Sequence, residues 1–140
     1  MSQWFDMWSV ENPDERQEIQ TEGMKESVSC INDIIKNEAT IVPHDRIILG
    51  GISQGCATAL YALMVGGIRL GGFIGLSSWM DFEEHLRKLA ADNYALYTPV
   101  FLSHSKDDVV PVKNGLRLKE NLSDFGMIAL TWKEYDEGGH

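Results

Sequence analysis

The sequence predicts an α/β fold in three layers, with helices packed on a mostly parallel sheet. Two observations carry that prediction. Short apolar runs at residues 46–51, 71–77, 99–103 and 129–135 alternate with helix-forming segments at 54–65, 81–91 and 112–125. Such alternation is the mark of strand–helix–strand crossovers. The run at 46–51 is also apolar almost throughout, as suits a parallel strand buried on both faces.

The elements follow in order. Residues 1–10 are irregular and aromatic, with Trp4, Phe5 and Trp8 close together. This cluster reads as core or interface, or alternatively as a substrate-pocket wall. Asn12-Pro13 opens a helix, with Asp14 and Glu15 in its first turn, where the helix dipole favours negative charge. Met24, Val28, Ile31 and Ile35 then form one apolar stripe, with Glu22, Lys25, Glu26 and Lys36 on the other face, to about residue 37. Val42-Pro43-His44-Asp45 breaks this helix and leads into the first strand. Gly66-Gly67 stops the second helix. In the last helix, Leu116, Leu118 and Leu122 are the apolar positions.

Composition narrows the function. A chain of 140 residues is one domain, long enough to bury roughly two-thirds of its unfolded surface. The formal charge of −9, with no Lys/Arg cluster, argues against a nucleic-acid partner. No apolar run approaches a membrane span. The start, Met1-Ser2-Gln3-Trp4-Phe5-Asp6, lacks a basic region and an apolar core, so no signal peptide is expected and the location is read as cytoplasmic. Cys30 and Cys56 make no disulfide framework and read as small buried packing residues. No His/Cys spacing fits a metal and no Gly-rich loop fits a nucleotide, so no cofactor is expected.

The chemistry centres on Gly51-Ile52-Ser53-Gln54-Gly55, set between a strand and a helix. A serine nucleophile needs such a turn, which projects its oxygen clear of the sheet and turns the following N–H toward the substrate oxyanion. Gly51 and Gly55 stand where a Cβ would push strand and helix apart. The alternative is a glycine-rich turn with a passive serine. In parallel sheets chemistry gathers beyond the carboxyl ends of the strands. There the sequence supplies His104-Ser105-Lys106-Asp107-Asp108 after the third strand and His140 after the fourth. The order Ser53, Asp107, His140 is the order of a hydrolase triad on this kind of sheet. His44 reads as a turn residue and His85, beside Glu83 and Glu84, as a surface charge partner. His104 is the rival base, read here as structural.

The run 45–55 closely resembles the acyl-protein thioesterases and small carboxylesterases of the phospholipase/carboxylesterase family, which are α/β-hydrolases. So do Trp4-Phe5-Asp6, Gly71 through Trp79, Asp107-x-Val109-Val110-Pro111, and Tyr135 with Gly138-Gly139-His140. The resemblance implies Ser53 as nucleophile, His140 as general base and Asp107 as the carboxylate that orients it, with Asp108 as the rival for that last role. It implies one oxyanion donor, the Gln54 N–H. Trp79 and Met80 line an acyl pocket or, on the plain alternative, pack the core.

The resemblance also implies departures. The family's first strands, with a loop supplying a second oxyanion N–H, and its last helix are not among these residues. His140 is then held only by the Gly138-Gly139 segment and its carboxylate partner. The implied reaction is acyl transfer, on protein S-acyl groups, lysophospholipids or small esters. The opposing expectation is a weak or inactive hydrolase-like domain that acts as an interaction module, pairing as a homo-oligomer through an open sheet edge.

Overall fold

Four strands, β1 (Ile48–Ile52), β2 (Gly72–Leu76), β3 (Val100–Ser105) and β4 (Leu130–Tyr135), form one sheet in a computed structural model that describes residues 2–106 and 108–140. Every pairing is parallel, and the order across the sheet is β1-β2-β3-β4. Leu49 stands opposite Phe73, Phe73 opposite Val100, and Val100 opposite Leu130. The α/β-hydrolase-like fold with a parallel sheet is thus the fold observed. Because all four strands run the same way, the loops after them leave from a single end of the sheet.

The helices are α1 (Thr21–Glu38), α2 (Gln54–Gly66), α3 (Glu83–Leu89) and α4 (Val112–Phe125). Leu49, Phe73, Val100, Leu102, Leu130 and Trp132 point from the strands into the core that α1, α2 and α4 complete. α1 presents the expected stripe, Met24, Val28, Ile31 and Ile35, all buried. α2 is buried nearly all round because α1 and the sheet enclose it. Gly75 allows that closeness, since a Cβ there would lie 2.7 Å from both Cys56 Sγ and Leu102 Cδ2.

The opposite sheet face is open among the described residues, with Ile48 65%, Ile52 51% and Ile74 40% exposed. Two layers of the three therefore lie within the described residues. β1 alternates in burial where burial on both faces was expected, because helices cover only one side of it. β1 is also an edge strand, unpaired on its outer side among the described residues.

Other expectations are corrected. The helix read from Asn12-Pro13 begins at Thr21, after a short 3-10 turn at Gln17–Ile19. Arg16 takes a left-handed φ of 54° just before that turn, and the buried Gln20 side chain donates Nε2–H to Pro13 O at 3.0 Å. α3 starts at Glu83 because Phe82 is likewise left-handed, which leaves Asp81 outside the helix and buried. β3 runs two residues further than expected, pairing His104 with Glu134 and Ser105 with Tyr135. Cys56 is buried as expected, but Cys30 is exposed, on the side of α1 away from the core. Within the aromatic N-terminal cluster only Phe5 is buried; Trp4 is 47% and Trp8 57% exposed.

Candidate active site

Ser53 is the single residue between β1 and α2, and its backbone is strained: φ 54°, ψ −126°. A non-glycine residue held there stores about 1–3 kcal/mol, which surrounding structure must offset. Here the offset is visible. Ser53 N–H donates to Leu76 O at 2.9 Å, and Ser53 O accepts from Cys56 N, Ala57 N and, at 2.7 Å, from Ser78 Oγ. Gly51 makes the turn sterically possible, because a Cβ would lie 2.5 Å from Cys56 N and 2.6 Å from Gly55 C and O. Gly55 has a different reason. A Cβ there would meet Trp4 Nε1 at 3.3 Å, not the strand.

Gln54 opens α2, so its N–H has no intrahelical acceptor. Its side chain clamps the N-terminal segment: Oε1 accepts from Trp4 N at 2.8 Å and Nε2 donates to Phe5 O at 2.7 Å. Ser27 Oγ adds a bond to Trp4 O, and Gly23 leaves room for Phe5, whose Cα would be 2.9 Å from a Cβ at that position. The residues Trp4 and Phe5 are thereby fixed over the start of α2.

The loop after β3 and the segment after β4 meet at the same end of the sheet. His140 Nδ1 lies 2.8 Å from Asp108 Oδ1, and the Asp108 side chain has 0% of its surface exposed. Val110 N–H donates to the same oxygen at 2.8 Å. Burial pushes the Asp108 carboxyl up, but the Val110 N–H, the Ser77 hydroxyl and His140 outweigh it and hold the group below its ordinary value. An ionised carboxylate accepts only, so His140 Nδ1 is the donor and Nε2 is the nitrogen left outside this contact.

The segment bearing His140 is tied by more than its carboxylate. Lys106 N–H donates to Tyr135 O at 2.9 Å, Lys106 Nζ meets Asp136 Oδ1 at 2.7 Å, and Gly138, at φ 145°, packs beside Ser105. Asp107 lies outside the described residues; Asp108, its rival in the sequence reading, is the carboxylate found against His140. Ser53 Oγ makes no hydrogen bond to His140 among the described residues.

Trp79 and Met80 are buried, at 1% and 3% exposure. Trp79 packs against Ala57 and Val110, between the elbow helix and the Asp108 loop, and Met80 joins the main core. Both also line a cavity of about 330 Å³ with Glu11, Asp14, Lys113 and Arg117, which neither Ser53 nor His140 reaches. Trp79 Nε1–H donates to Asp81 Oδ2 at 2.9 Å. Asp81, missed in the sequence, is 1% exposed; burial pushes its carboxyl up to about 7, Trp79 opposes this, and Asp14 adds to it. His85 contacts the Tyr61 hydroxyl through Nδ1 instead of an acidic neighbour. No cluster of His, Cys, Asp or Glu among the described residues could hold a metal, and no helix is long and apolar enough to cross a membrane.

Residues 1–140 match the Phospholipase/Carboxylesterase family. The chain is 33% identical over 133 residues to acyl-protein thioesterase 1 of Kluyveromyces lactis, covering 89% of this chain and 58% of that protein. It is 37% identical over 124 residues to acyl-protein thioesterase 1 of Gibberella zeae, covering 86% and 52%. The fold is similar to the crystal structure of Zea mays acyl-protein thioesterase 2, with a TM-score of 0.81 at 28% identity, over 99% of this chain and 64% of that one. The chain spans about half the length of the curated relatives it matches. Since the match extends through the elbow, the sheet and the His140 segment alike, the chain belongs to the phospholipase/carboxylesterase family.

Proposed function

We propose that these residues carry the acyl-transfer chemistry of a serine hydrolase acting on acyl thioesters or carboxylic esters, with protein S-acyl groups, lysophospholipids and small esters as the substrate classes. The observation that carries the reading is the His140–Asp108 contact at 2.8 Å, at the same end of the sheet as the strained Ser53 elbow. Ser53 is the nucleophile. His140 Nε2 takes the Ser53 proton as Oγ attacks the carbonyl, Asp108 holds the imidazole in the tautomer that leaves Nε2 free, and the Gln54 N–H receives the developing oxyanion. His140 then protonates the departing thiol or alcohol. Water, deprotonated by the same nitrogen, releases the acid and restores Ser53.

The experiment is labelling by a fluorophosphonate probe. Labelling of the parent that is lost in Ser53→Ala is the expected result, and a folded protein that takes up no probe would overturn the reading.

A second reading is favoured by the outer edge of β1, unpaired among the described residues, and by the exposed Ile48 and Ile52. Under it, two copies pair edge to edge as an interaction module. Sedimentation across a range of concentrations separates the readings: a dimer that labels poorly supports pairing, and a monomer that labels supports the enzyme.

A further inference from the structure

We infer that His104 is a positioning residue for Asp108, acting through the main chain of Val110. The inference rests on the reading of Asp108 and His140 given above. His104 stands near the end of β3 and is 1% exposed. Its Nε2 lies 2.7 Å from Val110 O, and because a carbonyl oxygen only accepts, Nε2 carries the hydrogen. Nδ1 has no partner among the described residues and abuts α4, where a Cβ at Gly115 would lie 2.4 Å from it. The ring also sits beside Trp132, with centroids 6.4 Å apart. Held on these sides, the imidazole presents Nε2–H in one direction.

What it holds is the acid. Val110 accepts from His104 through its carbonyl and donates through its own N–H to Asp108 Oδ1 at 2.8 Å, the same oxygen that meets His140 Nδ1. Val110 is itself fully buried against Trp79 and Ala57. Strand β3 is therefore joined to His140 by a path in which each link is one hydrogen bond or one residue. A residue needed only to fill this space would be apolar, since an imidazole brings a buried nitrogen with no partner. The imidazole supplies what an apolar residue lacks, a donor at the reach of Nε2.

The test compares His104→Gln with His104→Asn in the full chain. Both lose the ring and its packing on Trp132 and Gly115. Gln places its amide donor near the position of Nε2; Asn falls one methylene short of Val110 O. The readouts are the titration of the Asp108 carboxyl, followed by its carbon NMR shift, and turnover of p-nitrophenyl acetate.

In His104→Asn the Asp108 titration rises toward the ordinary carboxylate value, and kcat falls by roughly 10²-fold with KM little changed, the effect of displacing a reacting group by about an ångström. His104→Gln keeps both near the parent. Variants that behave alike in the titration would overturn the inference. Where neither variant folds, nitrogen NMR of the parent decides: Nε2–H on His104 supports the inference and Nδ1–H overturns it. If Ser53→Ala leaves turnover intact the hydrolase reading fails, and the titration still decides the role of His104.

Discussion

His140 Nδ1 meets Asp108 Oδ1 at 2.8 Å across the ends of the neighbouring strands β3 and β4. The carboxylate is sheathed from water while the imidazole keeps 29% of its side-chain surface exposed. On the proposed reading, that asymmetry suits a base that must reach a substrate and a partner that must not move. Asp108→Asn should therefore lower esterase turnover by roughly 10³–10⁴-fold, because an amide favours the wrong imidazole tautomer. Asp107→Asn should have a much smaller effect. Steady-state kinetics of the two variants checks this, and an equal loss in both would remove Asp108 from the role.

Asp81 gives a prediction about pH. Its native carboxyl titrates at about 7, pushed there by burial, against about 3.9 in an unfolded chain. Between those values the folded state holds a proton that the unfolded state has released. The stability contributed by the neutral carboxyl is complete below about pH 4 and lost as pH rises through about 7, up to roughly 4 kcal/mol in all. Asp81→Asn keeps an acceptor for Trp79 Nε1–H but cannot ionise. Urea denaturation should find the variant more stable than the parent at pH 8, with the advantage shrinking or reversing at pH 5. Parallel pH profiles for the two proteins would count against this account.

The elbow offers a contrast between glycines. At Gly51 an added methyl meets only backbone, 2.5 Å from Cys56 N, and backbone at a helix start has nowhere to go. Gly51→Ala should destabilise by about 3 kcal/mol or more, in the range of severe strain or overpacking. At Gly55 the nearest atom is the edge of the half-exposed Trp4 indole at 3.3 Å, which can yield. Gly55→Ala should cost about 1 kcal/mol or less, the scale of a tolerated surface change. Thermal melts of the pair test this ranking.

Local pattern made much of this legible in the sequence. All four strands and α4 follow from apolar runs and helix-forming spacing, and the elbow follows from two glycines around a serine between a strand and a helix. What was hidden depended on contacts between distant residues. The contact of Asp108 with His140 turns on how the loop after β3 folds back, which Val110 N–H and the His104–Val110 bond support. No spacing within Asp107-Asp108 encodes that. The late start of α1 follows from a left-handed Arg16 and from Gln20 reaching Pro13, neither of which shows in the Asn12-Pro13 signal and acidic residues that suggested an earlier start. Asp81 looked like the first turn of a helix until Phe82, at φ 54°, set it inside the protein.

The spatial order of the strands repeats their order in the chain. As the polypeptide leaves the ribosome, each strand can dock on the edge left by the one before it, with one helical crossover to close each time. The Ser53 turn depends on β1, α2 and the Leu76–Ser78 stretch, all of which lie ahead of β3 and β4 in the chain. Asp108 arrives next, and His140 only after β4 has joined the sheet. A ribosome-bound chain caught before that last docking would carry a correctly shaped serine with nothing to take its proton. On the proposed reading, reactivity of Ser53 would be withheld until β4 has joined the sheet, and a growing chain would stay chemically silent until then.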